Sequence, residues 1–178
     1  MTEPTITCVL YTRQQIKTTV EKLASEITRD YAGKNPLLVG ILKGSFMFMA
    51  DLIRHLNFPL EIEFVRISSY GRNKQSSGKI AVVQGIHTRI KDRHVLVVED
   101  IVDSGLSVNY VLTSLRHKKP ASLKVCCLLD KPSRRQMSVP IDYTGLSVPD
   151  KFLVGYGLDW SEQYRYLPDI CYLEDKKT

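Results

Sequence analysis

An α/β fold on a mainly parallel sheet is what this 178-residue sequence predicts, and three observations predict it. Apolar, strand-length runs alternate with amphipathic helical segments over the first three quarters of the chain. Leu37–Leu42 is a short apolar run, and residues 94–98 read His-Val-Leu-Val-Val without alternation, as in a strand covered on both faces. The length suits one domain, for which ~150 residues is typical. Hydrophobic residues make up 43% and charged residues 25%, which excludes a chain too polar to fold and a collagen-like repeat.

The elements follow in order. Thr12-Arg13-Gln14-Gln15 has the form of a capping box, and Ile16, Val20, Leu23, Ile27 and Tyr31 then recur at helical spacing until Gly33 offers a stop. Leu37–Leu42 reads as a buried strand after Pro36, and residues 45–56 as a buried helix ended by Asn57 and Pro59. Met47 and Met49 belong to that helix as core residues. Glu61–Ser69 alternates as a strand. The stretch 70–79 has no apolar anchor after Tyr70 and reads as a mobile loop. Ile80–Gln84 and residues 94–98 are strands, residues 106–117 a helix with Val108, Val111, Leu112 and Leu115 on one side, and residues 123–129 another apolar strand. After Lys131 come short β segments and turns through Pro132, Pro140, Pro149 and Pro168, expected to fold over the sheet rather than extend it.

Lys+Arg exceed Asp+Glu by 25 to 19, a net charge of +6 that suits a phosphate-bearing partner, whether nucleic acid or a small polyphosphate. Cys8, Cys126, Cys127 and Cys171 fall in no CxxC or Cys/His zinc spacing, and adjacent Cys126 and Cys127 point to opposite faces of a strand. With no secretory signal at Met1-Thr2-Glu3-Pro4 and no disulfide framework, the expected compartment is the cytoplasm. No apolar run approaches the ~18 residues of a membrane span. His55, His87, His94 and His117 are scattered without ligand spacing and carry no assigned role.

The most informative stretch runs from Val97 through Glu99, Asp100 and Asp103 to Ser104-Gly105-Leu106-Ser107. A buried strand ends in two carboxylates, a third follows, and a helix begins at once. Open α/β sheets bind ligands at the carboxyl ends of their strands, and a helix N-terminus presents unpaired N–H groups to a phosphate. The parts suit a phosphorylated sugar: N–H groups and hydroxyls for phosphate, carboxylates for sugar hydroxyls and a hard cation. The plainer reading is a solvated acidic turn in which Asp103 or Ser104 is only a helix cap. Gly40-Ile41-Leu42-Lys43-Gly44-Ser45 lacks P-loop spacing, and Gly155-Tyr156-Gly157 lacks the third glycine of a dinucleotide fingerprint.

Glu99-Asp100-Ile101-Val102-Asp103-Ser104-Gly105 resembles the phosphoribosyl pyrophosphate (PRPP) motif of type I phosphoribosyltransferases. Further segments resemble the hypoxanthine-guanine members: Leu42-Lys43-Gly44-Ser45, Ser69-Tyr70-Gly71, Leu129-Asp130-Lys131, Pro149-Asp150-Lys151-Phe152, and Val154-Gly155-Tyr156-Gly157-Leu158-Asp159 with Arg165 beyond. They run in family order over residues 9–167. Ser104 and Ser107 stand where threonine is frequent, keeping the hydroxyl, and Trp160 where tyrosine is usual.

The resemblance implies the type I phosphoribosyltransferase fold, with a small hood from the termini. It implies one domain over residues 1–178, with a core at about 10–155 and a C-terminal hood at about 156–178. The implied reaction is attack of a 6-oxopurine on C1 of PRPP, with Mg²⁺ as cofactor. By the same resemblance Asp103 is catalytic, sharing the purine N7 proton, and Asp103, Ser104, Gly105, Leu106 and Ser107 hold the 5′-phosphate. Glu99 and Asp100 serve the ribose hydroxyls, directly or through Mg²⁺, with Asp159 a further metal or base-side contact. Lys43, Gly44 and Arg165 hold pyrophosphate. Lys131, Phe152, Leu153 and Asp159 hold the base, and Ser69 and Tyr70 belong to a lid. A homodimer or homotetramer is implied, with no membrane partner and nucleic acid disfavoured. Two alternatives stand beside this: a xanthine-preferring enzyme, and a PRPP-sensing regulator that binds nucleic acid.

Overall fold

The computed structural model describes residues 5–69 and 80–174. In chain order they form β1 (Thr5–Tyr11), α1 (Arg13–Tyr31), β2 (Leu37–Leu42), α2 (Phe46–Arg54), β3 (Glu61–Ser69), β4 (Ile80–Gln84), β5 (His94–Val102), α3 (Leu106–Arg116), β6 (Ser122–Asp130), β7 (Tyr143–Ser147), β8 (Phe152–Val154) and β9 (Ile170–Glu174), with a 3-10 turn at Pro132–Arg134. The main sheet has the order β4-β3-β2-β5-β6-β7. Its pairings are parallel except for β4, which runs antiparallel to β3. A second sheet, β1-β9-β8, is antiparallel.

The local chemistry explains the elements. At the start of α1 the Thr12 hydroxyl accepts from Gln15 N at 3.3 Å while Gln15 Oε1 accepts from Thr12 N at 2.9 Å, a reciprocal capping box. The helix then buries Ile16, Val20, Leu23, Ala24, Ile27 and Tyr31. Period-two alternation along the strands divides the core into two layers. Leu38, Leu96, Val98, Cys126 and Leu128 pack with α1 and α2, whereas Leu37, Val39, Val95, Val97, Val125 and Cys127 pack with α3. Cys126 and Cys127 thus lie on opposite faces, and all four cysteines are free. Each fully buried aliphatic side chain contributes roughly 1.5–3 kcal/mol of burial. Among the described residues no helix is long and apolar enough to cross a membrane.

One expectation is corrected. The stretch after Lys131 does extend the sheet: β7 pairs in parallel with β6 through Cys126↔Tyr143 and Leu129↔Leu146. Its signal is weak because an edge strand of five residues buries little, and Gly145, without a side chain, sits where a Cβ would collide with the Leu128 carbonyl. The strand β1, ahead of Thr12, was not anticipated; its pairing to β9 is a tertiary event that local patterning does not report.

The strand order fixes where a ligand site belongs. From β2 the chain moves outward to β3 and β4, then returns to β5 beside β2 and moves the other way to β6 and β7. The loops after β2 and β5 therefore diverge at a topological switch point, which leaves a crevice at the carboxyl edge of the sheet.

Candidate active site

That crevice is a cleft of about 410 Å³, within the size range of small-molecule sites. The loop after β2 supplies Lys43 and Gly44, β5 and its loop supply Asp100 and Asp103, and Lys131 follows β6. Phe152 and Leu153 of β8, and Asp159, Glu162 and Arg165 of the turn beyond it, close the other side. Nine of the residues singled out from the sequence thus line one space.

The loop after β2 is held tightly. Its Leu42–Lys43 peptide is cis, and buried Ser45 donates its hydroxyl to the Ile41 carbonyl at 2.7 Å. A Cβ on Gly44 would overlap the Asp100 carboxylate, and a Cβ on Gly157, at φ +98°, would collide with the Gly44 carbonyl. Glycine at both positions lets three backbones meet at the acid.

Alternation along β5 sends Glu99 to the face of Cys127 and α3, and Asp100 toward the Gly44 loop. Both are buried, but only Asp100 reaches the cleft; Glu99 lies behind it. Burial, reinforced by the Asp100 charge, pushes the Glu99 carboxyl well above its usual range, and its Oε2 has no hydrogen-bond partner among the described residues. Burial likewise raises Asp100 from 3.8 to about 6. Asp100, the buried carboxylate that reaches the cleft, offers oxygen donors of the kind that suit a hard cation. Among the described residues no group of three or more His, Cys, Asp or Glu is placed to hold a metal ion.

The raised Asp100 value carries a stability prediction. Between pH 3.8 and about 6 the folded protein keeps a proton that the unfolded chain has lost, so the contribution of Asp100 to stability falls as pH rises through this window. The loss is on the order of 3 kcal/mol at most. In chelator, denaturant unfolding of Asp100→Asn should show less decline between pH 4 and 6 than the parent protein; equal slopes would contradict the assignment.

After β5 the chain turns at Gly105, which occupies the N-cap of α3 at φ +82°. A Cβ there would collide with the Met137 carbonyl. No side chain caps the helix; Leu106 N has only a long 3.4 Å contact to Ser104 Oγ. The reading of Asp103 or Ser104 as a mere cap is therefore not what the fold adopts, and the first-turn N–H groups stay open to an anion. Ser104 and Gly105 make this turn and Leu106 and Ser107 open α3; none of the four is among the residues that line the cleft.

Asp103 Oδ2 lies 3.9 Å from Lys131 Nζ, and its Oδ1 lies 3.8 Å from Arg134 Nε. Lys131 is only 3% exposed, and burial pulls its ammonium below the usual lysine range despite the nearby Asp103 charge. One of its protons goes to the Lys151 carbonyl at 2.8 Å. Phe152 stands half exposed over the cleft while Leu153 is buried beside it. Asp159 has both oxygens engaged: Oδ1 with Arg165 Nη2 at 2.7 Å, Oδ2 with Glu162 N at 2.8 Å. Arg165 also donates to the Gly157 carbonyl at 2.7 Å. Ser69 is the last residue of β3, and Tyr70 lies outside the described residues, as does the rest of the expected loop to residue 79.

Besides Arg66 and Ile67 of β3, two further cleft residues were missed from the sequence. Arg134 reaches the site because Pro132 starts a 3-10 turn whose three-residue period places it beside Lys131. Glu162 is the other, with a 2.8 Å ion pair to Lys43. The available signal was the even spacing of Asp159, Glu162 and Arg165, three residues apart.

A cleft at the switch point, with an anion loop on a helix N-terminus, buried carboxylates and paired cations, defines a protein that handles phosphorylated sugars. The phosphoribosyl transferase domain model matches residues 9–161, and the chain belongs to the phosphoribosyltransferase family. It aligns nearly end to end with hypoxanthine-guanine phosphoribosyltransferase of Streptococcus pneumoniae, 44% identical over 99% of this chain and 98% of that protein. A solved hypoxanthine phosphoribosyltransferase from Staphylococcus aureus superposes with a TM-score of 0.91 at 40% identity, covering 95% of this chain and 92% of the other. A Trypanosoma cruzi hypoxanthine phosphoribosyl transferase, solved in work on its C-terminal region and oligomeric state, gives 0.88 at 40% identity over 98% and 94%.

Proposed function

We infer that this chain transfers the 5-phosphoribosyl group of PRPP to N9 of hypoxanthine or guanine, giving IMP or GMP and pyrophosphate in purine salvage. The observation that carries the reading is the placement of Asp103 and Lys131, their charged groups 3.9 Å apart, between an uncapped helix N-terminus and a buried acid at one cleft. The phosphate would dock on the N–H groups of Ser104, Gly105, Leu106 and Ser107. Lys43, the Gly44 backbone and Arg165 would take the pyrophosphate.

The bond from C1 to the pyrophosphate oxygen breaks with its electron pair leaving on pyrophosphate, and N9 of the purine forms the new bond to C1. The purine proton passes to Asp103, which faces the cleft. Positive charge building on the ribose meets Asp100, the buried acid that reaches the cleft. When bound, Mg²⁺ would supply Lewis-acid stabilisation of the leaving phosphates; Asp100 is the buried acid in the cleft that would hold it, Asp159 would join it by releasing Arg165, and Glu99, behind the cleft, would not reach it. Phe152 would stack on the base, with Leu153 at its edge. Closure of Ser69 and Tyr70 would exclude water from the charged ribose.

Lys131 offers donors and no acceptor, so it matches a 6-oxo group and mismatches a 6-amino group. Replacing it, Lys131→Gln, should lower kcat/KM for hypoxanthine by on the order of 10–100-fold, the worth of one charged hydrogen bond, and narrow the gap to adenine. Steady-state rates on both bases check this.

In this reading the chain works as one domain, core about 10–155 and hood about 156–178, in the cytoplasm and as a homodimer or homotetramer, which light scattering would establish. The reading is tested by supplying PRPP and Mg²⁺ with hypoxanthine, guanine, xanthine and adenine in turn and separating the nucleotides. Product from hypoxanthine or guanine, none from adenine, and loss of both on chelation are expected. Xanthine as the best substrate would shift the base preference, and no product from any base would overturn the reading.

A further inference from the structure

The turn after Asp159 is built in a way that local sequence chemistry disfavours. Trp160 and Gln163 pair as an antiparallel bridge, with N–H to carbonyl distances of 3.2 and 2.9 Å in the two directions. The two residues between them, Ser161 and Glu162, both have positive φ, 49° and 66°, and Tyr164 follows at 72°. Positive φ at both central positions is the signature of a type I′ hairpin, which asks for Asn-Gly or Gly-Gly. A side chain bearing a Cβ costs free energy at each position, and such strain gathers where a side chain has work to do.

The Glu162 side chain shows what that work is. Its Oε1 meets Lys43 Nζ at 2.8 Å, across the cleft from the loop after β2, and its Oε2 meets Arg165 Nη2 at 3.3 Å. Its own N–H is fixed by Asp159 Oδ2 at 2.8 Å. Lys43 and Arg165 together hold the Glu162 carboxyl below the usual carboxylate range. The carboxylate is 64% exposed and Lys43 46% exposed, so the pair is solvated, weak and readily exchanged.

We propose that Glu162 is an internal counter-ion that holds the two pyrophosphate cations, Lys43 and Arg165, between turnovers and competes with pyrophosphate for them. This rests on the assignment of those cations to pyrophosphate in the proposed function. An arriving polyanion must displace the Glu162 carboxylate, and a departing one is replaced by it. The carboxylate thereby keeps Lys43 from standing unpaired, adds a second and longer partner to Arg165, which Asp159 Oδ1 already holds at 2.7 Å, and limits retention of the product. It touches neither the base nor the ribose in this role, so it acts as a positioning residue for the leaving-group site.

The test uses the full chain with Glu162→Gln and Glu162→Gly. Glutamine removes the charge at constant size. Glycine also removes the charge but suits the type I′ turn, so it separates the ion pair from the geometry of the hairpin. Calorimetric titration with magnesium pyrophosphate should give a Kd about two- to fivefold lower for both variants than for the parent, of the size an exposed ion pair commands. Inhibition of IMP synthesis by added pyrophosphate should strengthen in step, and the KM for PRPP should fall while the KM for hypoxanthine stays fixed. The Glu162→Gly protein should melt no lower than Glu162→Gln. Pyrophosphate binding equal to or weaker than the parent's in either folded variant contradicts the proposal, and so does failure of both variants to fold, which would make Glu162 a structural brace. If the parent protein neither binds magnesium pyrophosphate nor consumes PRPP, the phosphoribosyl-transfer reading falls and this one with it. If it does both and the variants do not tighten, only this one falls.

Discussion

Replacing Asp103 by asparagine should lower kcat by about 10²–10⁴-fold, the usual worth of a positioned base, while PRPP binding changes little. The substitution keeps the shape of the side chain and removes its capacity to take a proton. Asp103 lies on the loop that leaves the switch point, with Lys131 Nζ 3.9 Å from one oxygen and Arg134 Nε 3.8 Å from the other. Neither oxygen caps the helix: the N-cap is Gly105, so the loop loses no capping bond when the carboxylate goes. A stability loss is therefore not expected, and melting temperature with kcat and PRPP affinity measured side by side separates the two roles. Full turnover in the asparagine variant would remove Asp103 from the chemistry.

Gly44→Ala is the second large effect, and it acts through packing. The added methyl would overlap the buried Asp100 carboxylate, which could give way only into the cleft that it lines. Either the loop after β2 retreats from the cleft or Asp100 is forced off its position. A misplacement of about 1 Å at a reacting centre costs about 10²-fold in rate, and overpacking a tight site costs about 1–3 kcal/mol of stability. The expected result is a loss of at least two decades in kcat/KM together with a lower melting temperature. Gly33→Ala is the contrasting control: Gly33 has a positive φ, +79°, which Gly44 does not, and nothing lies within 4 Å of an added Cβ. It should lose stability through backbone strain and keep its kcat, so that a shared loss of activity would show the Gly44 effect to be general.

Most of the main sheet was legible because its information is local. Thr12 and Gln15 write a capping box that the structure contains, and Leu37–Leu42 is apolar throughout because both of its faces are covered. The acidic loop was legible for a similar reason: Glu99, Asp100 and Asp103 stand directly behind an apolar strand, where strand order brings them to the ligand edge. Most of what was not legible depends on contacts distant in sequence. The pairing of β1 with β9 and the Lys43 to Glu162 ion pair join segments separated by many residues, and the outer strand β7, although it is the next strand after β6, buries too little to announce itself. Glu162 was hidden further because its turn type runs against its own residue preferences. Glu99, legible as an acid, gave no sign that it would lie behind Asp100 rather than in the cleft; only the parity of the strand decides that.

The most direct test of phosphoribosyl transfer is the balance of products from one reaction. The chain is incubated with PRPP, hypoxanthine and Mg²⁺, and IMP and pyrophosphate are quantified by phosphorus NMR as PRPP disappears. Equal amounts of IMP and pyrophosphate, rising together, are the predicted result. Pyrophosphate without nucleotide would show hydrolysis in place of transfer, and unchanged PRPP would show a binding protein; either would contradict the account.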